Sequence, residues 1–180
     1  MDEDRVPFLA TTSGAPYDCI ARLPVAVLLD NIRSLYNVGS LFRTADAACV
    51  ERLVLSGITG RPPQRGITKT ALGAEGAVLW EPAASGFGAA KEFRRRGYEI
   101  AALETSLRSV DLYDWAPRFP VLLVLGNEVE GLDAELLEMA DTHVRIPMLG
   151  MKHSLNVATA AGVALYELLR KYRVLLKESR

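Results

Sequence analysis

Short apolar runs alternate with amphipathic stretches along most of the 180-residue chain. PVAVLLD (24–30), ERLVLSG (51–57), AVLWEP (77–82), YEIAAL (98–103), PVLLVLG (120–126) and THVRIPM (142–148) have the length and composition of strands. Several are apolar at consecutive positions, the pattern of a strand covered on both faces. Between them, VGSLFRTADAAC (38–49), GFGAAKEFRRRG (86–97) and DAELLEMA (133–140) carry helical spacing, and SLNVATAAGVALYELLRKY (154–172) is the longest helical segment. This alternation predicts an α/β fold, a mostly parallel sheet with helices on both faces, in a single domain over residues 21–180. Residues 1–20 are polar, with Pro and Gly, and read as a loose leader. In such sheets ligands bind beyond the carboxyl ends of the strands, so the chemistry is sought there.

The last helical segment is apolar or small on nearly every side, with Ala158, Ala160, Ala161, Gly162 and Ala164 permitting close backbone approach. An ordinary surface helix shows one apolar stripe. Burial inside the domain and burial against a twin helix both account for the pattern.

Composition narrows the partners. With 49% hydrophobic and 24% charged residues the chain has ordinary globular proportions. No apolar stretch approaches the roughly 18 residues of a membrane span, and the acidic N-terminus lacks the features of a signal peptide. Cytoplasm is the expected compartment. A net charge of −1 gives no general affinity for nucleic acid, so such a partner requires a local basic patch. RPPQRGITK offers Arg61, Arg65 and Lys69 in a predicted loop after a strand. KEFRRR offers Lys91, Arg94, Arg95 and Arg96, but reads as a solvated helix end where the dipole favours cations. Cys19 and Cys49 form no CxxC pair, and the two histidines, His143 and His153, have no metal-ligand spacing.

Three strands are followed by polar residues that a packed core does not require. These are Asn37, Gly39, Arg43 and Thr44 after the first, GNEVEG (126–131) after VLLVL, and Gly150, Ser154 and Asn156 after the last. Each has a structural explanation: Asn37 and Ser154 as helix N-caps, Gly126 and Gly131 as turn residues, Glu128 near a helix start. GNEVEG has the glycine spacing of a P-loop, but Leu132 and Asp133 stand where Lys and Ser/Thr are required. GFGAAK begins like a dinucleotide fingerprint but has Lys91 in place of its third glycine. No GxSxG elbow is present, and the adjacency of His153 and Ser154 is no evidence of a nucleophile–base pair, because sequence neighbours rarely point at each other.

Together, NVGSLFRTADA (37–47), LVLGNEVEGL (123–132) and IPMLGMKHSLNVATAAGVALYE (146–167) resemble, in order and spacing, the three motifs of the SpoU (TrmH-type) RNA ribose 2'-O-methyltransferases of the SPOUT superfamily. The resemblance covers roughly residues 24–170, and its third motif is the most specific. It implies a C-terminal deep trefoil knot of SPOUT type, which ordinary connection rules would not suggest. It also implies S-adenosylmethionine as cofactor, held in a neutral, apolar pocket by Leu125, Gly126, Asn127, Gly131, Ile146, Met148, Gly150, Ser154 and Leu155. Gly126 and Gly131 would let the backbone approach the adenosine closely.

By motif match, Asn37, Arg43, Glu128, Ser154 and Asn156 would ring the ribose 2'-oxygen, with Glu128 fixing Arg43 or a substrate hydroxyl. Methyl transfer from a sulfonium needs an in-line approach and stabilisation of that oxygen as it loses its proton. The substrate would be tRNA or rRNA, met by Arg61, Arg65 and Lys69. The resemblance favours a homodimer through the C-terminal helix; residue spacing and the short apolar runs point to no metal and no membrane. Two other readings compete: a catalytically idle RNA-binding module on the same fold, and a nicotinamide or flavin oxidoreductase, for which the fingerprint is missing.

Overall fold

The structure is a computed structural model that describes residues 22–178; the leader, 1–20, and Cys19 lie outside the described residues. Among the described residues, seven parallel strands form one sheet: β1 (Leu23–Asp30), β2 (Val50–Ser56), β3 (Trp80–Ala83), β4 (Glu99–Leu103), β5 (Val110–Asp111), β6 (Val121–Leu125) and β7 (Thr142–Arg145). Their order across the sheet is β3-β2-β1-β6-β4-β7-β5. The helices are α1 (Leu35–Ala47), α2 (Arg65–Ala71), α3 (Ala74–Ala77), α4 (Gly86–Arg95), α5 (Ala134–Met139) and α6 (Val157–Glu178).

The consecutive apolar positions of β1 and β6 are divided between two cores. Val25, Val27, Leu29, Val121, Leu123 and Leu125 face a cluster built with α1 and α6. Ala26, Leu28, Leu122 and Val124 face a second cluster built with α4 and α5. Successive side chains of a strand point to opposite faces, so a central strand with helices on both sides must be apolar throughout.

Several expectations change. The segment expected as a loop around Arg65 and Lys69 is largely helix α2. It docks on α1 because Gly39 leaves room: a Cβ there would lie 2.1 Å from Thr70 Oγ1 and 2.3 Å from the Ile67 carbonyl. The short helix α3 takes Ala77 from the third predicted strand, so β3 starts at Trp80. Strand β7 ends at Arg145, three residues early, and the two-residue β5 was not anticipated.

Helix α6 begins at Val157 rather than at Ser154, and Asn156 caps it, accepting from Ala158 N at 2.9 Å. The N-cap of α1 is Ser34, not Asn37, and Ser34 Oγ accepts from Asn37 N at 3.3 Å. The small face of α6 is buried inside the domain: Ala161, Ala164, Leu165 and Leu168 are core residues packed with α1. Lys171 ties the same helix to residues 112–115, donating to the carbonyls of Leu112 (2.8 Å), Tyr113 (3.2 Å) and Trp115. The glycine of GFGAAK also has a packing cause. A Cβ on Gly86 would lie 2.4 Å from the buried Asp30 carboxylate, which Ser56 Oγ holds at 2.6 Å.

Candidate active site

The three polar clusters converge beyond the carboxyl ends of β1, β6 and β7. The loop after β6 is folded by its own residues. Asn127 and Gly131 exchange backbone hydrogen bonds at 3.0 Å, and Asn127 Oδ1 accepts from Val129 N (2.8 Å) and Glu130 N (3.1 Å). Asn127 Nδ2 donates to the Asn31 carbonyl at 2.9 Å, which joins this loop to the one after β1. Both glycines are required by the loop itself. Gly131 has φ of 73°, and a Cβ on Gly126 would meet the Gly131 backbone at 2.6 Å. In L-residues such a φ is disfavoured, so glycine is the natural occupant.

Glu128 is the hinge between the clusters. Its carboxylate accepts from Arg33 N (3.0 Å), Ser34 N (3.2 Å) and Asn37 Nδ2 (3.0 Å). Asn37 Oδ1 in turn accepts from Asn156 Nδ2 at 3.1 Å. One chain of hydrogen bonds therefore runs from the loop after β6 through α1 to the cap of α6. Burial opposes the charged form of Glu128, but donors from Arg33, Asn37, its own backbone and Ser34 outweigh it and hold the carboxyl below its ordinary value. No Glu128–Arg43 ion pair occurs, because the carboxylate is committed to these donors.

Beside this network lies a cavity of about 500 Å³, within the size range of small-molecule sites. Of the nine residues expected at a cofactor, Leu125, Gly126, Asn127, Gly131, Ile146, Met148, Ser154 and Leu155 line it; Gly150 does not. Glu128, Ser154 and Asn156 border the cavity, whereas Asn37 reaches it through its two partners and Arg43 does not border it. Arg43 is exposed on α1, next to Thr44, whose Cγ2 lies 3.9 Å from where a Gly162 Cβ would stand on α6.

The lining is less neutral than expected, since Glu104 and Arg145 join Glu128 in it. Arg145 is paired with Asp111 at 2.5 Å. Glu104 and Thr105 were missed in the sequence, although β4 pairs directly with β6 and its own end, ET, is polar. That adjacency is a property of strand order and is invisible along the chain. Among the described residues no group of three or more His, Cys, Asp or Glu is arranged to hold a metal ion, and no helix is long and apolar enough to cross a membrane.

The basic candidates divide. Arg94 pairs with Asp141 (2.9 Å), Arg95 with Glu92 (2.7 Å) and Arg96 with Glu51 (3.7 Å). Arg61, Arg65 and Lys69 are exposed and have no carboxylate partner among the described residues.

Comparison with known proteins gives a consistent answer. A tRNA (guanosine(18)-2'-O)-methyltransferase of Aquifex aeolicus is 35% identical over 81% of this chain and 68% of that protein. The crystal structure of an A. aeolicus TrmH/SpoU tRNA modifying enzyme superposes with a TM-score of 0.76 at 34% identity, over 88% of this chain and 80% of that one. An AdoMet-bound rRNA methyltransferase from Sinorhizobium meliloti gives 0.76 at 31% identity, over 87% of this chain and 60% of that one. The chain thus spans about 60 to 68% of the length of two of these relatives. A third solved chain, described by the 2-OH methylation of C/U34 on tRNA, matches at 30% identity and a TM-score of 0.73, over 83% of this chain and 96% of its own. The model of the SpoU rRNA Methylase family matches residues 24–166, nearly the whole of the described domain, and this chain belongs to that family.

Proposed function

We propose that the chain is an S-adenosylmethionine-dependent methyltransferase that acts on a ribose 2'-hydroxyl of tRNA or rRNA. The observation that carries this reading is the Glu128–Asn37–Asn156 network at the edge of the cavity, which joins all three motif segments. Leu125, Ile146, Met148 and Leu155 supply apolar wall, and Gly126, Asn127 and Gly131 supply backbone. Glu104 adds an anionic group suited to a cationic ligand. The donor set therefore fits S-adenosylmethionine, which when bound supplies an electrophilic methyl group on a sulfonium.

The chain's own residues have the remaining work. Ser154 and Asn156 border the cavity and present hydrogen-bonding groups to a ribose or its phosphate. Glu128 and Asn37 hold α1 in register with that edge. Arg43 contributes a charged, planar donor fork that orients an RNA phosphate and stabilises the developing alkoxide, while water or a phosphate oxygen takes the proton. Arg61, Arg65 and Lys69 bind the RNA backbone.

The reading includes a trefoil knot formed by the segment from β7 into α6, and a homodimer through α6. In favour of the dimer are the exposed Tyr166 on α6 and the nearly fully exposed Leu149 and Met151 on the preceding loop, apolar surface that a second copy would cover. A cytoplasmic location is part of the same reading.

The test is transfer of labelled methyl from S-adenosylmethionine to RNA from cells lacking the gene, followed by mapping of ribose methylation. Thermal shift with S-adenosylhomocysteine, NAD and FMN separates this reading from an oxidoreductase. Cofactor binding and RNA binding without transfer would favour the idle module.

A further inference from the structure

We propose that Tyr36 is a stacking platform for an unpaired nucleobase beside the methylated ribose, with Arg65 and Lys69 holding the adjoining phosphates. The inference rests on the RNA methyltransferase reading and specifies its substrate as a loop or single strand rather than a duplex.

Tyr36 stands one residue before Asn37, in the first turn of α1, with half of its surface (53%) exposed. An isolated exposed tyrosine would mean little; its setting is what matters. Lys69 Nζ lies 5.7 Å from the ring centroid. The two residues are held by a rigid seam between helices. Thr70 Oγ1 donates to the Tyr36 carbonyl at 3.1 Å, and Gly39 allows α2 to approach α1 more closely than any side chain would permit.

Arg65 and Lys69 are four residues apart on α2 and so share a face. Both are exposed and neither has a carboxylate partner among the described residues. The result is an aromatic surface flanked by uncompensated cations, linked to the cavity by the Asn37–Glu128 and Asn37–Asn156 hydrogen bonds.

Proteins that bind single-stranded RNA combine these two elements, because every base has a π-face and every nucleotide a phosphate. A duplex keeps its bases stacked and leaves the ring without a function. Lys69 exchanges the ring for a phosphate when a base arrives, which a flexible ammonium allows at little cost.

The experiment compares the parent with Tyr36→Leu, Tyr36→Phe, Tyr36→Trp, Arg65→Gln and Lys69→Gln. The probes are a single-stranded RNA dodecamer, the same sequence as a duplex, and S-adenosylhomocysteine. Tyr36→Leu is expected to lose about 5- to 100-fold in affinity for the single strand, with the salt slope and S-adenosylhomocysteine affinity unchanged. Tyr36→Phe and Tyr36→Trp keep parental affinity within about twofold, since stacking needs only the ring. Arg65→Gln and Lys69→Gln each lower the salt slope by about 0.7.

Parental affinity in Tyr36→Leu, or a loss in Tyr36→Trp as large as in Tyr36→Leu, overturns the platform. So does loss of S-adenosylhomocysteine binding in Tyr36→Leu, which would mark Tyr36 as structural. A parent protein that binds neither RNA probe and methylates no RNA fails the underlying reading instead.

Discussion

Asn37 donates its side-chain amide to the Glu128 carboxylate across 3.0 Å, linking helix α1 to the loop after β6, 91 residues further along the chain. With Asn156 on its other side, Asn37 is the middle member of a relay whose ends border the cavity. Both polar atoms of its amide are used, so neither an acid nor an apolar residue can replace it.

Asn37→Ala is expected to slow single-turnover methyl transfer by about 10- to 100-fold through misplacement of the cavity edge. Affinity for S-adenosylhomocysteine should stay within about threefold, because Asn37 does not line the cavity. Asn37→Asp should be worse, since it sets a second carboxylate against Glu128. Equal rates for Asn37→Ala and the parent would show the relay to be irrelevant to transfer.

Arg43→Ala should lower the single-turnover rate by about 100-fold or more, the loss typical of a group that stabilises developing charge. Isothermal titration should show unchanged cofactor binding, given that Arg43 stands outside the cavity lining. Arg43→Lys should recover part of the rate by restoring charge without the planar fork. A new ionisation in the pH–rate profile of Arg43→Lys would instead favour a base at position 43.

Gly126→Ala should destabilise the domain by about 2–3 kcal/mol, because its methyl would overlap backbone atoms that cannot rotate away. Gly162→Ala is the control: its nearest neighbour is Thr44 Cγ2 at 3.9 Å. There the better helix propensity of alanine should leave stability equal or raised by up to about 1 kcal/mol. Chemical denaturation of the two variants measures the contrast, and similar losses in both would refute the close-approach argument.

Acid should destabilise the parent through two carboxyls. Glu128 is held below its ordinary value as described, and Glu167 is lowered chiefly by hydrogen bonding from Arg170, against the opposing effect of burial. A depressed pKa in the folded state means that the unfolded chain binds more protons, so the stabilisation is complete above the usual value of 4.5 and is lost as pH falls through the folded values. Glu128→Gln and Glu167→Gln should each flatten the decline of Tm below pH 4.5 relative to the parent. An unchanged slope in both would remove these groups from the acid limb.

The assembly is tested on the exposed side of α6 rather than at Ala161. Ala161 is completely buried within one chain, and Ala161→Glu would break the core whether or not a dimer forms. Tyr166→Glu alters only the exposed side of α6. If α6 is the seam, sedimentation should show a folded monomer where the parent is a dimer; a dimer of parental strength would move the seam elsewhere.

Much of this architecture was readable from local pattern alone. Consecutive apolar positions at 24–30 and 120–126 identify strands covered on both faces, because side-chain direction alternates whatever the rest of the fold does. Polar residues following apolar runs marked where ligands could bind, and the three motif segments identified the family to which the chain belongs. Other features depend on neighbours that are remote in sequence. Glu128 was open to pairing with Arg43, and only the positions of Arg33, Ser34 and Asn37 decided its partners. The small residues of α6 were compatible with an inner or an outer neighbour, and packing against α1 placed Ala161 and Ala164 inside. Glu104 joined the cavity because β4 lies beside β6, a consequence of strand order that no window of sequence contains. Local propensity acts over a few residues, whereas partner choice is set by which surfaces the assembled sheet brings together.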